Sequence, residues 1–211
     1  MLKTIGLIGY GALGVQFEKM ILGDSTEEVK FVYFDDIKHQ ENPGLVAPFY
    51  GYRDNSDSNI EYMVCLGYHH LKLKREIFAE LRSTGKKLYN LIHSTAYISK
   101  TAKLGSGIVI YPLCNVDEEV ILEDGVLLNN SSVVSHNSIV GKSSYFGAAV
   151  VISGVVEIGE CTFIGSGTVT ANNISIGSEC VIGAGSVITK NVPDNVKGVG
   201  NPFRFASISL Q

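Results

Sequence analysis

"EIGECTFIGSGTVTANNISIGSECVIGAGSVI" spans Glu157–Ile188, and one spacing in it decides the fold. Isoleucine stands at 158, 164, 176, 182 and 188, six residues apart, with Thr170 the one position out of kind. The same phase runs back through Ile152, Phe146, Val140, Val134, Leu128, Leu122, Val116, Ile110 and Leu104 to Ile98. Fifteen of these sixteen positions are Ile, Leu, Val or Phe. A period of six held over some ninety residues cannot be an amphipathic helix. It reads as a hexapeptide β-helix: each repeat gives one short strand and a corner, with the apolar residue pointing inward. Three repeats close a triangular coil of 18 residues, and no insertion interrupts the register. The glycines that follow several inward residues (Gly105, Gly141, Gly147, Gly159, Gly165, Gly177, Gly183) are expected to supply the conformations that tight corners need.

Upstream the grammar is different. "KTIGLIG", "VKFVYFDD", "EYMVCLG" and "KKLYNLI" read as strands, and "ALGVQFEKMILG" and "LKLKREIFAELRSTG" as helices. Strands alternating with helices imply a parallel sheet with right-handed crossovers. The expected organisation is a Rossmann-like α/β domain over residues 1–92, then a left-handed parallel β-helix over 93–211. The closing "KGVGNPFRF" is expected to cap the solenoid.

A charged fraction of 18% and a net charge of -4 give no basic footprint for nucleic acid. No apolar run reaches spanning length, and "MLKTIGLIGYGALG" is broken by glycines, so neither a membrane span nor a signal peptide is expected. Cys65, Cys114, Cys161 and Cys180 lack metal or redox spacing and read as buried free thiols of a cytoplasmic protein. Only His93 and His136 fall in the repeat; they are 43 residues apart, not a multiple of 18, so they do not stack and no metal is expected.

His136 interrupts the apolar repeat two residues past the inward Val134. Residues 18 apart should stack about 4.8 Å from one another. The column through His136 therefore reads Glu118, His136, Gly154: carboxylate, imidazole, bare backbone. An imidazole is the usual general base near neutral pH, and a backbone N–H can stabilise an oxyanion. The column suits acyl transfer to an amine or hydroxyl, with Glu118 holding the ring and glycine leaving room for a thioester. The plainer alternative is a surface histidine on a corner, oriented by Asn137.

In the first domain "GYGALG", Gly9–Gly14, follows a strand and opens a helix, and Asp35 and Asp36 end the next strand. That is the dinucleotide fingerprint, whose physical content is a phosphate on a helix N-terminus beside bare backbone. The domain is too short for two mononucleotide halves, so a single nucleotide diphosphate is expected rather than NAD; a structural tight turn is the alternative. Gly67 ends the third strand facing the same crevice, followed by His69 and His70 as ligand contacts or solvated loop residues.

The N-terminal unit with "GYGALG" and "FDD", the junction "NLIHSTAYIS", the "SH" hexapeptide and the closing "GVGNPFR" together resemble one family across essentially the whole chain. It is the bacterial sialic-acid O-acetyltransferase and nucleotide-linked amino-sugar N-acetyltransferase family, nearest its diacetamidobacillosamine-forming members. The resemblance implies a homotrimer with acetyl-CoA lying between neighbouring β-helices, and an acetyl acceptor that is the amino group of a nucleotide-linked 4-amino-4,6-dideoxy sugar. Its alternatives are O-acetylation of a sialic-acid-type sugar and a non-catalytic sugar-nucleotide-binding trimer. By resemblance His136 falls at the catalytic base, Asn129 at a nearby active-site asparagine, and Gly154 where a backbone N–H meets the thioester carbonyl. Tyr145, Ser166 and Ala184 fall at coenzyme contacts. Gly11, Leu13, Gly14, Asp35, Asp36, Gly67 and Lys74 fall where the sugar nucleotide is held. The chain departs from the family in Asn137, where a carboxylate is common, in Val15, where several members have histidine, and in Tyr145, which also replaces a histidine.

Overall fold

The computed structural model describes residues 3–206, in two compact units, Met1–Leu91 and Ile92–Gln211. In the first unit, β1 (Lys3–Ile8), α1 (Ala12–Asp24), β2 (Val29–Phe34), α2 (Asp36–Glu41), β3 (Val46–Ala47), β4 (Ile60–Val64), α3 (Leu71–Ser83) and β5 (Lys87–Leu88) follow one another. The strands form one parallel sheet in the order β3-β2-β1-β4-β5. Central β1 is paired on both edges, and Ile5, Leu7 and Ile8 are fully buried, which is why it reads as a continuous apolar run. Helix α3 buries Leu71, Lys74, Ile77, Phe78 and Leu81, one stripe at a spacing of three and four. Helix α2 and β3 escape the sequence reading. Asp35 caps α2, accepting the Lys38 N–H at 2.9 Å. The run "KKLYNLI" is two strands: Lys87–Leu88 closes the sheet, and Leu91–Ile92 lies at the boundary alongside Val109–Ile110.

The second unit is a three-sided parallel β-helix. Face 1 carries the two-residue strands at 91, 109, 127, 145, 163 and 181; face 2 those at 97, 115, 133, 151, 169 and 187; face 3 those at 103, 121, 139, 157 and 175. Every pairing within this run links residues 18 apart. From Ile110 to Ile188 the inward positions are buried. Thr170, the exception in composition, is also inward and accepts the Ser153 N–H at 2.9 Å. A second buried set, Ser138, Ser144 and Thr162 among it, holds the coils together from inside. Ser144 Oγ, for example, donates to Gly159 O at 2.8 Å and accepts the Thr162 N–H at 3.0 Å.

Two expectations about the solenoid need correction. The glycines after the inward residues do not supply unusual dihedrals. Positive φ falls two positions further on, at six-residue intervals from Gly107 to Gly185, and Leu113, Asn137 and Val155 adopt it as Gly125 does. What excludes a side chain at the earlier glycines is the next coil. A Cβ on Gly141 would lie 2.6 Å from Gly159 C, and one on Gly165 2.5 Å from Ala184 N. The register also tightens at the end, where Val181 pairs with Lys197 and Ile176 bridges Val192, each 16 residues on. Lys197–Val199 then turns back through antiparallel Arg204–Phe205.

Candidate active site

His136 sits at the corner between faces 2 and 3, exposed with Asn137. The stacking foreseen from the 18-residue period is present in the backbone: Asn137 N–H donates to Glu118 O at 3.0 Å and Val155 N–H to His136 O at 2.9 Å. A Cβ on Gly154 would lie 2.5 Å from His136 Nε2 and 2.7 Å from Cε1. The imidazole itself therefore fills the space over Gly154. That corrects the expectation that the bare backbone leaves room for a thioester.

Asn137 orients the ring. Its φ of 58° is the left-handed corner conformation, which asparagine tolerates. Its Oδ1 lies 3.0 Å from His136 Nδ1. An amide oxygen can only accept, so Nδ1 is the donor of this bond, and in the neutral ring the lone pair then lies on Nε2. Glu118 does not hold the ring, contrary to the column argument, because its carboxyl is drawn sideways to Asp117. The hydrogen bond from Glu118 holds Asp117 below the usual carboxylate range, and the same bond pushes Glu118 up. Asp117 Oδ1 accepts the Glu118 backbone N–H at 3.0 Å, and the neighbouring His136 also lowers it slightly.

Gly154 N–H is not open to an oxyanion: it donates to Asn172 Oδ1 at 2.9 Å. Asn172 is the next residue of the His136 column, one coil beyond Gly154. The sequence reading stopped short of it, although the same 18-residue step leads there.

The remaining β-helix candidates lie elsewhere in the chain. Asn129, Ser166 and Ala184 occupy the corner between faces 1 and 2, on the far side of face 2 from His136, so a single chain does not bring Asn129 to the imidazole. Asn129 Oδ1 accepts the Asn130 N–H at 2.7 Å, and Ser166 Oγ accepts that of Ala148 at 3.1 Å. Ser166 and Ala184 are exposed, whereas Tyr145 on face 1 is nearly buried against Phe163, ring centroids 5.8 Å apart. A groove of about 620 Å³ runs over face 3, but Glu123, Glu157, Glu160 and Asp194 line it and none of the candidate residues does. Its carboxylates disfavour a polyphosphate coenzyme. Among the described residues, no group of three or more His, Cys, Asp or Glu is placed to hold a metal, and no helix is long and apolar enough to cross a membrane. All four cysteines are free and buried.

In the N-terminal unit Gly9 has a φ of +89° and Gly11 is the N-cap of α1. A Cβ on Gly14 would meet Gly9 O at 2.7 Å, while one on Gly11 would meet nothing within 4 Å. Gly14 thus closes the turn and Gly11 faces open space, with Leu13 half-buried between them. Gly67 also borders open space, ahead of exposed His69 and His70. Tyr10 in the same turn donates to Glu18, and burial together with this bond pushes its phenol up to about 12. Asp35 and Asp36 each have an oxygen engaged, in the α2 cap and with Phe49 N–H at 2.8 Å. Lys74 falls out of the set of ligand contacts: it lies on the inner stripe of α3, 1% exposed, with Nζ 5.8 Å from the Phe78 ring centre.

The bacterial transferase hexapeptide family (six repeats) matches residues 156–190. The acyl-[acyl-carrier-protein]–UDP-N-acetylglucosamine O-acyltransferase of Bartonella quintana is 38% identical over 61 residues, 28% of this chain and 22% of that protein. The chain thus aligns with less than a quarter of this curated relative's length. Two solved structures match nearly end to end. The acetyltransferase domain of PglB from Neisseria gonorrhoeae is 27% identical at a TM-score of 0.83, over 97% of this chain and 100% of that one. It has also been solved with acetyl coenzyme A. PerB from Caulobacter crescentus, solved with CoA and GDP-perosamine, is 23% identical at a TM-score of 0.84, over 97% of each chain. The chain carries the transferase hexapeptide repeat, and the likeness to these acetyltransferase structures covers each of its two units.

Proposed function

We propose that this protein transfers acetyl from acetyl-CoA to the amino group of a nucleotide-linked sugar of the 4-amino-4,6-dideoxy kind. One observation carries the reading: an exposed imidazole whose Nδ1 is engaged by Asn137 presents a free Nε2, on a fold shared end to end with acetyltransferase structures that hold coenzyme A. As the amine attacks the thioester carbonyl, His136 Nε2 takes its proton. The tetrahedral intermediate collapses with cleavage of the C–S bond, and the departing thiolate takes the proton from the imidazolium. Asn137 fixes the tautomer but is neutral. Asp117, held below the usual carboxylate range, supplies the nearby negative charge that favours the imidazolium.

The β-helix is left-handed, and the active unit is a homotrimer. Outward Val133, Val151, Val169 and Val187 form an apolar stripe on face 2, which a neighbouring copy covers. Such a neighbour brings its own Asn129, Ser166 and Ala184 corner to His136, with acetyl-CoA between the two. A monomer in sedimentation at micromolar concentration overturns this assembly. The N-terminal unit, Rossmann-like in its strand order, holds the sugar nucleotide's phosphates at Gly11, with Leu13, Gly14, Asp35, Asp36 and Gly67 shaping that pocket. The free buried thiols suit a cytoplasmic setting. The reading is tested with acetyl-CoA and a panel of UDP-, GDP- and dTDP-linked 4-amino sugars beside free sialic acid. CoA thiol release with N-acetylated product on an amino sugar is expected; transfer to hydroxyl acceptors alone, or none at all, overturns it.

A further inference from the structure

We infer that the side-chain amide of Asn172 donates the hydrogen bond that the acyl carbonyl receives as it becomes an oxyanion; this rests on the acetyl-transfer reading above. The corners of the β-helix share a device in which a backbone N–H is taken by a side chain of the next coil. Ser106 N–H goes to Asp124 Oδ1 at 2.8 Å, Ala148 N–H to Ser166 Oγ at 3.1 Å and Glu160 N–H to Ser178 Oγ at 3.1 Å. Ser178 N–H goes to Asp194 Oδ1 at 2.7 Å, and Gly154 N–H to Asn172 Oδ1 at 2.9 Å. Capping needs only an acceptor, which serine and aspartate supply. Asparagine supplies the acceptor and two further N–H donors. Their direction follows from the cap: because the partner is a donor, the amide oxygen must face Gly154 and the NH2 must face away from it.

Position matters as much as chemistry. Asn172 is exposed and lies one coil past Gly154, whose α-carbon carries the His136 ring. From Nε2 across Gly154 to Asn172 Oδ1 is at most about 8 Å, given ordinary bond lengths. The donating nitrogen lies about 2 Å beyond Oδ1, so the span is at most about 10 Å. A base about 3 Å from the amine, an attack distance of about 3 Å, a C–O bond of about 1.2 Å and a donor about 3 Å from the oxyanion fit within it as a bent path. In the step, the amine nitrogen bonds to carbon and the C=O π pair moves to oxygen. Asn172 N–H bonds that oxygen, and Nε2 takes the amine proton.

Three variants separate donor from cap, each measured on the pH-rate plateau so that an altered imidazole titration does not enter. Asn172→Asp keeps an acceptor for Gly154 N–H and removes both donors. It is expected to lower kcat about 10²–10³-fold, the usual cost of one oxyanion donor, with melting temperature unchanged and acetyl-CoA KM within about twofold. Asn172→Ser, a cap already used at Ser166 and Ser178, should lose kcat similarly through lost reach. Asn172→Ala should lose kcat and also melt earlier, because the Gly154 cap is gone. An Asn172→Asp enzyme with wild-type kcat, or an Asn172→Ala enzyme more active than wild type because Gly154 N–H has been freed, overturns the assignment. A wild-type protein without transfer overturns the functional reading and this assignment with it; an active wild type beside an unimpaired Asn172→Asp overturns this assignment alone.

Discussion

Glycine does different work at the start of α1 and directly after the inward positions of the β-helix. In the turn of the N-terminal unit it provides dihedrals and empty space: Gly9 lies at positive φ and Gly11 borders nothing within 4 Å. In the β-helix, Gly141, Gly159 and Gly165 have ordinary dihedrals and no space at all, since a Cβ on each would strike the neighbouring coil. Gly154 belongs to neither group, because what fills the space over it is the His136 imidazole. One residue type thus borders open space, marks a packing limit and seats an imidazole, and only its neighbours tell which.

The largest effect separates the last two roles. In Gly154→Ala the new methyl meets the end of a mobile side chain, so the ring swings away at little cost in stability. An about 10²-fold fall in kcat with an unchanged melting temperature is expected. Steady-state kinetics beside thermal melting checks this, and a stable variant of full activity breaks the distinction. Gly159→Ala should do the reverse, because its methyl meets Gly177 and Ser178 backbone, which cannot yield cheaply. Overpacking of that kind costs about 1–3 kcal/mol, read from the denaturant midpoint. Gly11→Ala sharpens the contrast with the N-terminal turn. Its dihedrals admit alanine, so folding should be untouched, while a methyl in the phosphate path raises the sugar-nucleotide KM about tenfold and leaves that for acetyl-CoA alone.

The smallest effect contrasts the forces holding the two units. Arg53 Nε and Nη2 reach Glu80 at 2.7 and 2.8 Å, and this pair holds the Glu80 carboxyl below its usual range. A depressed folded pKa stabilises the protein above the ordinary carboxylate pKa, and that contribution is lost as pH falls through the folded value. The pair is exposed, so Glu80→Gln should cost only about 0.2–1 kcal/mol at neutral pH, with the gap closing below about pH 4. Urea titrations at both pH values would show it, and a gap independent of pH contradicts the ion-pair account.

The solenoid was legible because its inward residues recur in every coil, and burial of that column needs no knowledge of distant partners. The left-handed corners were not. Leu113 and Val155 adopt positive φ against their own preference, costing about 1–3 kcal/mol each, because the ladder above and below determines the turn. The column through His136 was legible as a set of positions but not as a set of bonds. Whether Glu118 turns to the ring or to Asp117, and whether Gly154 N–H is open, depends on side-chain directions that spacing does not contain. Lys74 stood in plain view on the apolar stripe of α3, and a reading of that helix by its period would have buried it.

The central claim is that His136 is the base of an acetyl transfer. The most direct measurement is kcat of His136→Ala with acetyl-CoA and the amino-sugar nucleotide that the wild type accepts, in preparations matched for melting temperature and sedimentation. Loss of about 10²–10⁴-fold in kcat with the assembly intact is expected. A folded variant that keeps near-wild-type kcat would contradict the account.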